Sequence, residues 1–245
     1  MAIILTYNLL LAAQFNSKNY FCKKRHWLNT QMDGPLIKWS LAWLFMRYWM
    51  YMMWKRFADL IFAVFALAFL SPLFLALSIA VMLDSPGPVL FRQKRVGKGG
   101  VYFYILKFRT MRRDTPNVPT RELENPDRYI TKPGRFLRKT SLDELPQLLN
   151  IIRGHMSFVG PRPVLWSEFD LIEERNKNGV CNIRPGLTGL AQISGRDALS
   201  NATKAKVDEL YASNISAGLD MACMLKTVVK VLRHDGVVEG GKGSI

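Results

Sequence analysis

Cysteine and histidine are both scarce, with three of each in 245 residues. Cys22, Cys181 and Cys223 stand far apart and form no C-x-x-C pair, which argues against a disulfide framework and a thiolate zinc site. His26, His155 and His234 are equally scattered, so each reads as a surface or packing residue rather than a ligand. A reducing, cytosol-facing location follows. Acidic residues are the next deficit: 19 Asp and Glu against 34 Lys and Arg leave a formal charge of +15, which calls for an anionic partner. Charge alone does not choose among nucleic acid, phospholipid headgroups and phosphorylated substrates. Hydrophobic residues make up 49% of the chain and gather in its first third, which favours a membrane surface and lipid over nucleic acid.

The length suits one core and one active site, read here as a domain over residues 55–245 with an extension over residues 1–54. From Leu60 to Leu83 the chain is uncharged and, as a helix, would reach roughly 36 Å, longer than a bilayer core is thick. Ser71-Pro72 near its centre predicts a kink, because proline removes a backbone hydrogen bond. Lys55 and Arg56 precede the segment, and Arg92, Lys94 and Arg95 follow it; basic flanks prefer the cytoplasmic side. A re-entrant helix over about residues 57–83 meets both constraints, with Ser71 or other protein groups satisfying the freed carbonyls. A straight span is the competing reading. The extension has an apolar start, a polar patch at Lys23–His26 and an aromatic and Met-rich stretch at Trp39–Trp54 suited to a membrane interface. No charged region precedes the first apolar run, so a secretory signal peptide fits poorly.

Beyond the segment, Val89–Arg92 and Val101–Phe108 flank a Gly97-Lys98-Gly99-Gly100 turn and read as a short β-hairpin. Leu219–Arg233 places Lys226, Lys230 and Arg233 on one helical face, with Leu225, Val228, Val229 and Leu232 broadly opposite. An ordinary surface helix and a headgroup-level helix both suit that pattern. The expected fold class is α+β: a small membrane-associated domain with a kinked re-entrant helix, a hairpin and amphipathic interfacial helices.

Leu145, Leu148, Leu149 and Ile152 recur at i, i+3, i+4 and i+7, which predicts a helix with a buried stripe. Pro146 is tolerated only in a first turn, which predicts a start near Asp143 and sets Asp143 and Glu144 among unpaired N–H groups. Such a start would keep Asp143 ionised and receive phosphate. An ionised carboxylate is a nucleophile toward phosphorus, and Mg²⁺ held by Asp143 and Glu144 would offset repulsion from a pyrophosphate. Taken alone, however, an acidic pair at a helix start is most simply a cap.

Further motifs change that balance. Lys107-Phe108-Arg109-Thr110-Met111, Arg138 with Ser141-Leu142-Asp143-Glu144-Leu145-Pro146-Gln147, Gly160-Pro161-Arg162-Pro163 and Arg184-Pro185-Gly186-Leu187-Thr188-Gly189 occur in that order. Together they resemble the bacterial sugar transferases, the monotopic phosphoglycosyl transferases, in a likeness running from Lys55 to about Gly236 and including Ser71-Pro72. The resemblance implies an inner-membrane enzyme with its catalytic domain facing the cytoplasm. It implies a UDP-sugar donor, Mg²⁺ and undecaprenyl phosphate as acceptor, with downstream glycosyltransferases extending the product into a polysaccharide or other glycoconjugate. By the same likeness Asp143 attacks the β-phosphate of the donor, UMP leaves, and the lipid phosphate displaces a covalent phosphosugar. Glu144 would assist with metal or protons, Arg138 would engage phosphate, and Pro161-Arg162-Pro163 would serve the nucleotide. Lys107 and Arg109, on one strand face by alternation, are candidate phosphate or structural contacts. The alternative of another class is a non-catalytic basic protein that binds lipid at the membrane surface.

Overall fold

The computed structural model describes residues 35–116, 123, 125–195 and 199–233. The apolar start, the polar patch, Cys22, His26 and His234 lie outside the described residues.

Two apolar helices, α1 (Pro35–Phe69) and α2 (Ser71–Asp84), meet at Leu70 with a bend of 63°. The bend has a local cause. Pro72 has no N–H to give the Ala68 carbonyl four residues back, and the Ser71 hydroxyl donates to that carbonyl instead, at 2.8 Å. No single helix among the described residues is long and apolar enough to cross a membrane; the bent pair Met46–Phe69 and Ser71–Asp84 reaches that length and apolar composition only when its two parts are taken together. Helix α1 runs unbroken through residue 54, so the division expected there falls inside one helix. Outward, α1 and α2 expose Phe62, Phe65, Phe69, Leu75, Met82 and Leu83. Nearer its start α1 exposes Trp43, Trp49 and Trp54, with the Arg47 guanidinium 4.6 Å from the Trp43 ring.

The hairpin is β1 (Leu90–Val96) and β2 (Tyr102–Phe108), antiparallel from Leu90 opposite Phe108 to Val96 opposite Tyr102. Its first strand runs four residues past the expected Arg92 because the Gly99 and Gly100 backbones, at φ of 70° and 78°, close the turn only after Val96. A two-residue strand, β4 (Val164–Leu165), joins the far side of β1, giving the order β2-β1-β4. This leaves the outer edge of β2 unpaired. Asn150, fully buried, covers it: its amide donates to the Tyr104 carbonyl at 2.8 Å and accepts from the Leu106 N–H at 3.0 Å.

Asn150 belongs to α4 (Gln147–Ile152), which follows α3 (Lys132–Thr140). The described chain continues through β3 (Ser157–Val159), α5 (Phe169–Lys177), β5 (Gly186–Thr188) and α6 (Leu190–Ser194), and ends with α7 (Asn201–Ser213) and α8 (Ala217–Arg233). Strands β3 and β5 pair in parallel. A Cβ on Gly186 would lie 2.1 Å from the Gly160 nitrogen, so glycine is required where these two backbones cross. Gly186 of the Arg184–Gly189 motif therefore has an architectural role.

The domain sits on α1 through buried polar contacts. Lys55 and Tyr51 both reach the Asp220 carboxylate on α8, and Tyr211 on α7 donates to the same group at 2.7 Å. Arg56 donates to the Ile151 and Ile152 carbonyls at the end of α4, while Asp59 accepts from Ser157 and from the Phe158 N–H. Lys55 and Arg56, expected as flanking charges, thus serve as anchors. One apolar cluster joins Ala63 of α1 to Phe103, Ile105, Leu148 and Ile151, and a second joins Leu77 and Val81 of α2 to Phe108 and Leu137.

Candidate active site

The acidic pair sits on a reversal. Helix α3 ends at Ser141, whose left-handed φ of 57° is the only positive φ at a non-glycine residue among the described residues. A single 3₁₀ turn, Leu142–Glu144, follows, and α4 begins only at Gln147 with Pro146 at its cap. The helix expected to start near Asp143 therefore starts later, because Ser141 turns the chain before an α-helix can form. Its buried face is also rotated from the expected stripe. Gln147, Leu148, Asn150 and Ile151 are buried, whereas Leu145, Leu149 and Ile152 are half-buried, since β2 draws Asn150 inward.

Asp143 is 9% exposed. Burial pushes its carboxyl above the usual carboxylate range; Lys107 pulls it back, the Glu144 charge pushes it up again, and Arg138 and Arg162 pull it down. Asp143 is thus not held ionised by a helix terminus as expected, and the neighbouring cations offset its burial only in part. Lys107 Nζ lies 2.7 Å from Glu144 Oε1 and 3.7 Å from Asp143 Oδ2, and Arg162 Nη2 lies 3.5 Å from Glu144 Oε1. Arg138 donates from Nε to the Thr110 hydroxyl at 2.9 Å. The structure thus brings Lys107, Arg138 and Arg162 around Asp143 and Glu144. Arg109 is elsewhere. Strand β2 ends at Phe108, and the Arg109 guanidinium turns to the end of α2, donating to the Val81, Ser85 and Pro86 carbonyls. Of its two readings, the structural one is what these contacts describe.

Pro161-Arg162-Pro163 is fixed by its backbone oxygens. The Pro161 carbonyl accepts from the Gly186 N–H at 2.9 Å, the Arg162 carbonyl from Arg175 at 2.8 Å, and the Pro163 carbonyl from Arg95 at 2.9 Å. Arg175 is itself paired with the fully buried Asp208. Burial pushes the Arg95 guanidinium down to about 10, with Arg162 pushing the same way and Glu168 and Glu144 opposing. Sequence reading missed these supports. The alternation of β1 puts Arg95 and Gln93 on the face shared with Lys107, a signal that a run of basic residues obscured. Arg175 and Asp208 lie 33 positions apart in sequence and carried no signal.

A cleft of about 310 Å³ opens beside the pair, bounded by Glu144, Arg162, Thr188, Gln192, Thr227 and Lys230, with mostly aliphatic walls. Among the described residues no group of three His, Cys, Asp or Glu could hold a metal. Asp143 and Glu144 still offer adjoining carboxylates, the donor set Mg²⁺ uses when substrate phosphates and water complete its shell. Cys181 and Cys223 are free thiols, and His155 packs against the Phe103 ring at 5.5 Å.

Residues 50–234 match the family model described as bacterial sugar transferase. The exopolysaccharide production protein ExoY of Sinorhizobium fredii is 42% identical, over 74% of this chain and 87% of that protein. The UDP-glucose:undecaprenyl-phosphate glucose-1-phosphate transferase of Caulobacter vibrioides is 41% identical, over 74% of this chain and 70% of that one. The undecaprenyl-phosphate galactose phosphotransferase of Salmonella typhimurium is 37% identical over 74% of this chain but only 41% of that longer protein. With most of its length matched and its acidic pair enclosed as described, the chain belongs to the bacterial sugar transferase family.

Proposed function

We propose that this enzyme transfers a sugar-1-phosphate from a UDP-sugar to undecaprenyl phosphate, releasing UMP and starting the assembly of a polysaccharide or other glycoconjugate. The observation that carries the reading is the buried Asp143–Glu144 pair, faced by Lys107 and Arg162 and opening on an aliphatic cleft. Relatives named for transfer of glucose-1-phosphate, galactose phosphate or N-acetylgalactosamine phosphate to the same lipid support it.

Asp143 is the nucleophile. Its carboxylate oxygen attacks the β-phosphorus of the donor, the bond from that phosphorus to the bridging oxygen breaks, and UMP leaves with that oxygen. An oxygen of the lipid phosphate then attacks the same phosphorus and returns the carboxylate. Lys107, Arg138 and Arg162 supply positive charge where the pyrophosphate must approach two carboxylates. Mg²⁺, held by Asp143, Glu144 and the donor phosphates, supplies further charge neutralisation when bound. Glu144, tied to Lys107 and Arg162, holds both cations in place.

The enzyme acts on the cytoplasmic leaflet of the inner membrane. Helix α2, 14 residues long, spans about 21 Å, and two such arms bent by 63° and tilted equally dip about 11 Å, within one leaflet's share of the bilayer core. Helix α8 turns Met221, Leu225, Val228, Val229 and Val231 outward, suiting a place at headgroup level.

The test is UMP release by the reconstituted protein given Mg²⁺, undecaprenyl phosphate and either UDP-glucose or UDP-N-acetylgalactosamine. Release that depends on the donor and is lost in Asp143→Asn supports the mechanism. Release of UDP overturns it. Silence with every UDP-sugar favours a non-catalytic lipid-binding protein.

A further inference from the structure

We propose that Gln192 reads the sugar of the donor, its amide hydrogen-bonding a ring hydroxyl or acetamido group in the cleft beside Glu144 and Arg162. This rests on the reading of the chain as a sugar-phosphate transferase and names the part of the cleft that selects the sugar.

Gln192 stands out in the accounting of buried polar groups. Its Nε2 and Oε1 are both buried and both without a hydrogen-bond partner. The other buried orphans, Arg95 Nε, Arg109 Nε and Asp208 Oδ1, belong to groups bonded through their remaining atoms. Among the buried polar side chains of the described residues, Gln192 alone has its whole polar head unmet. Leaving such a head in place disfavours folding, so a partner from outside the chain is the natural complement.

The surroundings indicate which partner. Thr188 and Thr227, on the same cleft, are satisfied, since their hydroxyls bond each other at 2.5 Å and Thr227 donates to the Cys223 carbonyl. The cations and carboxylates gather at the Asp143 end, where phosphates belong. Apart from Lys139, Lys230 and hydroxyl-bearing side chains, the rest of the described lining is aliphatic, with no aromatic ring to stack a uracil. An uncharged amide that offers both a donor and an acceptor matches a neutral, hydroxyl-bearing ring. The amide lies close to Gly189, where a Cβ would meet Gln192 Oε1 at 2.9 Å, so glycine at 189 leaves room for the head.

Gln192→Met tests the idea, because methionine keeps the shape and removes only the unmet amide. Binding of UDP, UDP-glucose and UDP-N-acetylgalactosamine is measured by calorimetry on the full chain in lipid nanodiscs with Mg²⁺, alongside thermal unfolding and UMP release. We expect UDP to bind as to wild type, the tighter UDP-sugar to bind about tenfold or more weakly, and the unfolding midpoint to hold or rise. Gln192→Glu, which keeps an acceptor but no donor, is expected to weaken the same UDP-sugar while leaving UDP unchanged. Equal weakening of UDP and UDP-sugar, a lowered midpoint, or unchanged sugar binding would each overturn the proposal. The two readings fail separately. Selective loss of sugar binding without any UMP release sinks the transfer reading and keeps the sugar contact, whereas wild-type UMP release by Gln192→Met does the reverse.

Discussion

Asp143 carries two roles that conflict, and its substitution separates them. Burial raises its carboxyl pKa, so the folded chain holds that proton more tightly than the unfolded chain does. The folded state is therefore favoured at low pH, and stability falls as pH rises from the unfolded pKa through the folded one. Asn carries no charge to desolvate. Asp143→Asn is expected to melt above wild type at pH 7, with the two midpoints converging as pH drops below the folded pKa of Asp143. Transfer activity should fall by about 10³-fold or more in the same variant, as expected for loss of a nucleophile. Melting curves across pH, read against UMP release, check both halves; a variant that melts lower at pH 7 would show that Asp143 stabilises the fold rather than straining it.

At the scale of elements, the site depends on one covered strand edge. Asn150 is the side chain that locks α4 to β2, and β2 presents Lys107 to the pair that precedes α4. Asn150→Leu would leave the Tyr104 carbonyl and the Leu106 N–H buried and unpaired, which should cost about 2–4 kcal/mol. Chemical unfolding measures that loss. Lys107 would lose its register toward Glu144 at the same time, so kcat is expected to fall even under conditions where the variant is fully folded. The geometry of Arg162 has a comparable origin in two guanidinia, Arg95 and Arg175, that hold its backbone from two sides.

For the molecule as a whole, the proposed re-entrant arrangement rests on the bend at Leu70, which would return the start of α1 and the end of α2 to the same side of a membrane. Pro72→Leu restores a backbone donor for the Ala68 carbonyl, which Ser71 alone now serves, and should straighten α1 onto α2. Ser40→Cys, placed near the start of α1, reports the result through a membrane-impermeant maleimide added to intact cells. In the otherwise wild-type chain this cysteine should stay unlabelled, and in the Pro72→Leu background it should become labelled. Labelling in both would establish a straight span and remove the re-entrant arrangement.

Much of this was legible in the amino-acid order. The proline break, the hairpin and the basic amphipathic helix follow from periodicity and turn chemistry, which are local properties of a chain, whereas Asp143, Glu144, Lys107 and Arg162 stood out as site residues through the resemblance of their motifs to those of the family. Leu225, Val228 and Val229 do face outward on α8. What the order of residues could not decide was the use of each charge. Lys55, Arg56, Arg95 and Arg109 look alike in sequence, yet tertiary structure commits all four to buried or half-buried contacts with carboxylates and carbonyls. The start of α4 and the ionisation of Asp143 were likewise decided by a left-handed Ser141 and by burial. These depend on which distant groups arrive beside a residue, and only the folded chain brings them there.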